Sequence, residues 1–275
     1  MSTHTLLTRH AEMTLNHPLV VSYGMGTNST ALLIGLRERE IVPDLIMAAD
    51  TGDEKPATYE HLEAMQAWCK ASGFPSITVV RNELPQGIKD GSLYGECLRL
   101  GTMPSKLFGY STCSMKWKVE PQIKYLKGWM DREGCPFVLH AIGYDADEIH
   151  RSEKRKEIRE YERNWYPLIE WGWGREECVA AIVRAGMRQP GKSACFMCPS
   201  SKKPEVIWLK AKHPDLYAKA IAMEARALKG EGQAPVARVD GLGRHWNWAT
   251  FAGSDVATPE VDCGCYDGDA EDDLS

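Results

Sequence analysis

The stretch VVSYGMGTNSTALL, residues 20–33, decides how this chain is read. Val20 and Val21 close the strand-like run "HPLVVSY", while Leu32, Leu33 and Leu36 in "NSTALLIGLRERE" recur at helical spacing. Between them lies a short polar loop, residues 22–30, with Gly24 and Gly26 and the hydroxyls of Ser22, Thr27, Ser29 and Thr30. Glycine permits positive φ and close backbone approach, and the free N–H groups of a helix start attract anions. The loop therefore suits a phosphate or sulfate, against the plainer reading of an ordinary tight strand–helix turn. It is not a Walker loop, because no Lys-Ser/Thr pair follows the glycines. It is not G-x-G-x-x-G, because position 29 is serine.

Further strands are expected at "DLIMAAD", "SITVV" (76–80) and "FVLHAIGY" (137–144). "DEKPATYEHLEAMQAWCKASG" reads as a helix with Pro56 in its first turn and Gly73 at its stop. Residues 81–120 read as irregular, and "HRSEKRKEIREYER" as a charged helix or loop. "REECVAAIVRAG" and "KPEVIWLKAKHPDLYAKAIAMEARAL" are helical, and the last stretch is expected to be a mobile tail. The βαβαβ alternation implies an α/β fold with a doubly wound, mainly parallel sheet, C-terminal helices and that tail. Ligands of such sheets bind at the carboxyl ends of the strands. Residues 1–205 are expected to form this α/β domain, the cysteine cluster included, and 206–275 a C-terminal helical extension and acidic Cys-containing tail.

Hydrophobic residues make up 43% of the 275, enough for a sizeable core, yet no apolar run reaches membrane-spanning length. The start, "MSTHTLLTRHAEMTLNHPLV", does not read as a secretory signal, so a cytoplasmic protein is expected. The net charge of −5 argues against generic nucleic-acid binding. However, Glu260, Asp262, Asp267, Asp269, Glu271, Asp272 and Asp273 crowd the end, leaving the rest near +2 and able to form a basic pocket. Nine cysteines without an export signal point to metal or redox use rather than disulfides.

"SYGMGTNST" resembles the modified phosphate loop of the PP-loop family, Ser-x-Gly-x-Gly/x-x-Asp-Ser-Thr. The closer likeness is to the branch of the phosphoadenosine-phosphosulfate (PAPS) reductases. "AADTGDEKPATYEHL" is similar to that branch's Asp-Thr-Gly-x-x-x-Pro-x-Thr-Tyr, here Asp50, Thr51, Gly52, Pro56, Thr58 and Tyr59. "CSMKWKVEP" resembles its Cys-x-x-x-x-Lys-x-x-Pro through Cys113, Lys118 and Pro121. "IGYDADEIHR" resembles Gly-x-Arg-Ala-Asp-Glu-Ser at Gly143, Ala146, Asp147 and Glu148; Asp145 stands at the family's first Arg, with Arg151 as its replacement. "ACFMCP" resembles the Cys-x-x-Cys-Pro of iron–sulfur members. These segments follow the family's order across roughly residues 19–205.

The resemblance implies an adenine nucleotide α-hydrolase-like fold. It implies an adenine nucleotide or sulfonucleotide held by Ser22, Gly24, Gly26, Thr27, Asn28, Ser29, Thr30, Asp50, Thr51, Gly52, Gly143, Asp147 and Glu148. ATP-cleaving members carry Asp where this chain has Asn28, which shifts the expectation toward an already activated sulfonucleotide. Asp50, Asp53, Asp147 or Glu148 remain as carboxylates for Mg²⁺.

Cys195-x-x-Cys198 can converge on one metal from a tight turn, with Cys113 and then Cys97 as further ligands. Four thiolates suit a [4Fe–4S] cluster or, alternatively, zinc. The family's adjacent cysteine pair is Thr112-Cys113 here, so the fourth ligand is Cys97 or an open iron. Cys69, Cys135 and Cys178 read as small packed hydrophobes. Asp262-Cys263-Gly264-Cys265 is similar in shape to the reductases' nucleophilic tail but lacks its His; Cys263 and Cys265 are candidate nucleophiles, or an idle thiol pair. Lys116, Lys118, His150, Arg151 and Arg244 could face an anion, and Trp246 and Trp248 read as packing.

Two reactions follow. A reductase would release sulfite and AMP or its 3′-phosphate, with a thiol electron donor such as thioredoxin. An ATP pyrophosphatase would activate an acceptor, with a nucleic acid among the candidates, for sulfur transfer from a sulfur donor. A nucleotide sensor without catalysis is the third reading. No membrane partner is expected, and a homo-oligomer is.

Overall fold

The computed structural model describes residues 17–83, 91–154, 159–231 and 239–252. Along the chain run β1 (Leu19–Ser22), α1 (Thr27–Glu38), β2 (Leu45–Asp50), α2 (Pro56–Ala71), β3 (Ile77–Arg81) and α3 (Leu93–Leu100). They are followed by α4 (Glu120–Glu133), β4 (Val138–Ile142), α5 (Ile149–Lys154), β5 (Glu162–Trp165), α6 (Pro167–Glu170) and α7 (Arg175–Arg184). The last elements are α8 (Lys203–Lys212), α9 (Pro214–Lys229) and α10 (Trp248–Ala252).

Two compact units interleave. One takes the chain up to Ala49, Ala57–Val80 and Gln122–Pro190; the other takes Asp50–Pro56, Arg81–Pro121 and the chain from Gly191. This cuts the chain differently from a division after residue 205, because the connections leaving β2 and β3 belong with the C-terminal helices.

The first unit is built on a five-stranded parallel sheet of order β3-β2-β1-β4-β5, the doubly wound α/β arrangement expected from the sequence. Alternation along β1 sends Leu19 and Val21 to one face, where they pack with Leu32, Leu33 and Leu36 of α1, Met65 of α2 and Ile182 of α7. Val20 points to the other face, among Met47, Val138 and Leu126 and Met130 of α4. The strand order reverses between β1 and β4, so the loops after these two strands meet at the topological switch point.

The fifth strand is a departure from the sequence reading. "ERNW" is too polar to announce itself, yet as an edge strand paired only to β4 it tolerates charge. Residues 91–120 also hold more order than expected: α3 starts at Ser92, whose hydroxyl accepts from Gly95 N at 3.1 Å, and stops at Gly101 with φ 63°.

The second unit has its own core, in which Leu93, Met103 and Trp117 pack with Phe196, Met197, Val206, Met223 and Trp248. Glu224, 1% exposed, accepts N–H bonds from Leu242 (2.7 Å), Trp248 (3.1 Å) and Ala249 (3.3 Å), tying residues 242–249 to α9. Trp246 stacks on the buried Trp248, a packing role as expected. Among the described residues no helix is long and apolar enough to cross a membrane.

Candidate functional site

In the first unit, the loop after β1 delivers its groups around the start of α1. Glycine permits positive φ here, yet the left-handed residue is Met25 (φ 60°), while Gly26 is extended at φ −114°. A buried methionine in that region costs about 1–2 kcal/mol, strain that the packed side chain offsets. Ser29 Oγ accepts from Gly26 N (3.3 Å) and donates to Gly26 O (3.1 Å), closing the first turn. Thr30 is fully buried, and its hydroxyl lies between Tyr23 Oη (3.2 Å) and His61 Nε2 (2.9 Å), so it serves the core. Burial pulls the His61 imidazole down to about 4, keeping it neutral there. Thr27 differs: its Oγ1 is buried at the head of α1 and has no hydrogen-bond partner among the described residues.

The loop after β4 comes against this turn. A Cβ on Gly143 would lie 3.1 Å from Ser29 Cα, 3.2 Å from Ser29 N and 3.3 Å from the Asn28 carbonyl carbon, so any other residue would have to press the two backbones apart by a few tenths of an ångström. Asn28 braces the loops. Its Nδ2 donates to Asp145 Oδ2 (2.8 Å) and Glu148 Oε2 (3.1 Å), and its Oδ1 accepts from Arg175 Nη1 (3.2 Å). Burial raises the Asp145 carboxyl above its ordinary range, with Glu148 adding to the effect and Asn28 opposing it. Asp147 accepts from Arg175 N at 2.8 Å, which makes it a helix cap for α7. Arg151 pairs with Glu148 and lies over the Tyr144 ring, 4.3 Å from its centroid; that ring stacks on Tyr166.

Beneath the loop, Ser22 Oγ donates to Gln122 Oε1 at 2.9 Å and lies 2.8 Å from His140 Nε2. His140 Nδ1 faces Glu162 Oε2 at 3.2 Å. Sequence reading missed His140, Gln122, Glu162 and Arg175. The available signal was a lone His in an otherwise apolar strand.

The second unit holds the segment after β2. Asp50 Oδ1 accepts from Gly52 N (2.8 Å) and Oδ2 from Arg81 Nε (2.9 Å). Gly52 has φ 79°, and a Cβ there would sit 2.9 Å from Ser92 Cβ. Thr51 Oγ1 lies 3.1 Å from Cys195 Sγ, Glu54 bridges Cys195 in antiparallel fashion, and Phe196 N donates to Asp53 O at 2.9 Å. The Asp-Thr-Gly segment and the Cys-x-x-Cys turn are therefore one structure, closed by Cys198 N donating to Cys195 O at 3.0 Å. Lys118 Nζ reaches Glu54 Oε1 at 2.7 Å. Burial and then Glu54 push the Cys195 thiol up, against Lys118.

Cys97 and Cys113 line one cavity of about 400 Å³, with Leu93, Met103, Phe108 and Trp117 among its walls. Burial raises the Cys97 thiol to about 12. Cys113 N donates to Ser105 Oγ at 2.7 Å, and Glu96 takes Lys116 and the indole N–H of Trp117 (3.1 Å). Cys195 and Cys198 are not among the cavity walls. Among the described residues no three His, Cys, Asp or Glu side chains stand together as a formed metal centre. The donor set itself, four thiols in one unit, suits a soft metal or a cluster.

Arg244 donates Nε to Leu107 O at 3.0 Å and so holds a turn. Cys69 and Cys178 are fully buried, as expected of packing residues. Cys263 and Cys265 lie outside the described residues. Compared with known proteins, the chain matches no family model and no curated protein.

Proposed function

We propose that this chain is a PAPS reductase-like enzyme of sulfur metabolism that binds an adenine sulfonucleotide at the loop after β1. The observation that carries the reading is Thr27: a buried hydroxyl without a partner among the described residues, at a helix start and at the switch point of a parallel sheet. A phosphate or sulfate oxygen supplies the missing acceptor, and the N–H groups opening α1 with its positive dipole end favour the same charge. Gly143 supports this reading by keeping the second loop tight against the first.

In the reaction proposed, a thiolate attacks the sulfonyl sulfur and the sulfur–oxygen bond to the nucleotide breaks. AMP or its 3′-phosphate leaves with the electron pair. A thiolate of a dithiol donor such as thioredoxin then attacks the enzyme cysteine sulfur of the S-sulfo group, sulfite leaves, and the donor's second thiol breaks the mixed disulfide, so that the donor departs as its disulfide and the enzyme thiol is restored. Cys97, Cys113, Cys195 and Cys198 would hold a [4Fe–4S] cluster, whose contribution when bound is redox chemistry or a sulfur-binding iron. Free thiols on this scale suit the cytoplasm.

A second reading has one observation in its favour. Asp145 and Glu148 meet at Asn28 beside the loop, carboxylates of the kind that hold Mg²⁺ for cleavage of ATP to AMP and pyrophosphate. Anaerobically purified protein, incubated with a sulfonucleotide and thioredoxin and separately with ATP and Mg²⁺, separates the two. Sulfite supports the first reading and pyrophosphate the second, while neither product would overturn both.

A further inference from the structure

The hydrogen-bond chain under the loop fixes a protonation state. Ser22 Oγ donates its proton to Gln122 Oε1, so at 2.8 Å the His140 Nε2 must be the donor to Ser22. On the other side of the ring, Nδ1 faces the Glu162 carboxylate at 3.2 Å, and an ionised carboxylate only accepts. Both ring nitrogens then carry protons, and His140 is an imidazolium in a buried ion pair with Glu162, the two side chains 8% and 5% exposed. Arg159 also pairs with Glu162. The packed elements carry further titratable groups, among them Arg163 of β5, Tyr161 ahead of it, and Lys124 and Lys127 of α4, the last 5.4 Å from the Tyr161 ring centroid.

This chain has a consequence for the loop. A hydroxyl that accepts from His140 keeps its own proton free to turn from Gln122 to a ligand oxygen. A neutral His140, with its remaining proton on Nδ1 toward Glu162, would instead take the Ser22 proton at Nε2. We propose that His140, charged and backed by Glu162, is a positioning residue that makes the Ser22 hydroxyl available as a donor to a bound phosphate or sulfate oxygen. This rests on the reading of the loop as a nucleotide phosphate site.

The arrangement depends on one donated hydrogen bond, so a side chain at position 140 that can donate to Ser22 keeps the hydroxyl available and one that cannot donate loses it. Adenosine 5′-phosphosulfate is the probe, because it has no group of its own that titrates between pH 6 and 9.

The test is calorimetric binding of this probe by wild type, His140→Gln and His140→Leu. Gln offers an N–H donor and should bind as wild type does. Leu cannot donate and should lose about tenfold in affinity, the worth of one charge-assisted hydrogen bond. Carbon and nitrogen NMR of wild-type His140 at pH 6 should show the doubly protonated ring, a readout that needs no variant. Equal affinity in wild type and His140→Leu, or a neutral ring at pH 6, would overturn the proposal and leave the loop reading standing. No binding by wild type at any pH would overturn both.

Discussion

Asn28 donates its amide to Asp145 Oδ2 at 2.8 Å, joining the loop after β1 to the loop after β4. In the pattern this chain resembles, the two positions hold Asp and Arg. Asn28 thus acts as a brace whose two ends are engaged by Asp145, Glu148 and Arg175.

Asn28→Asp should therefore place a third carboxylate against Asp145 and Glu148. Without Mg²⁺ the variant should lose about 1–3 kcal/mol at pH 8, through a lost donor and like-charge repulsion. Mutual repulsion raises the folded-state pKa values of these acids, so the penalty grows as pH rises and fades toward pH 5. Added Mg²⁺ should restore part of the stability. Thermal melts with and without Mg²⁺ at both pH values check this, and a variant as stable as wild type in chelator at pH 8 would contradict it.

Gly143→Ala puts a methyl 3.1–3.3 Å from the backbone of Ser29 and Asn28, which have no flexible end to yield. The expected cost is about 1–3 kcal/mol in chemical denaturation, together with weaker nucleotide binding as the loops separate. An alanine variant with unchanged affinity would show that the close approach does not shape the site.

Asp53 offers a pH test in the second unit. Burial raises its carboxyl from 3.8 to about 6, against the N–H bond from Tyr94 at 2.6 Å. Its protonated form favours the fold, so that contribution is whole below pH 3.8 and is lost as pH rises through about 6. Asp53→Asn keeps an acceptor for Tyr94 and removes the charge. It should be more stable than wild type at pH 8, by up to about 3 kcal/mol, and no more stable near pH 4. Urea titrations at the two pH values measure the difference.

The four candidate thiols predict a metal phenotype of their own. After anaerobic reconstitution, Cys195→Ser and Cys113→Ser should lose most iron and sulfide, while Cys69→Ala, altering a fully buried thiol of the first unit, should keep both. Colourless, zinc-loaded wild type would rule out the cluster.

Much of the fold was legible because β1, β2 and β4 are apolar runs and α2 carries its Pro56 start and Gly73 stop in plain view. β5 was hidden because an edge strand can be polar, and α3 because its eight residues lie among glycines and prolines. The loop's residue types were readable, but their division of labour was not. Thr30 and Thr27 look alike in sequence, yet one hydroxyl is bonded into the core and the other is left without a partner. His140 and Glu162 lie 22 residues apart, and only the parallel pairing of β4 with β5 brings them together.

Thr27→Val tests the central claim most directly, because it keeps the shape of the side chain and removes only the hydroxyl. If Oγ1 awaits a phosphate or sulfate oxygen, the free variant should be as stable as wild type or slightly more so, since a buried unpaired hydroxyl is gone. Its affinity for the adenine sulfonucleotide or ATP should fall about tenfold or more, the loss of one hydrogen bond to a charged group. Equal affinity in the two proteins, or a stability loss that accounts for any change in binding, would contradict the assignment of this loop as a nucleotide phosphate site.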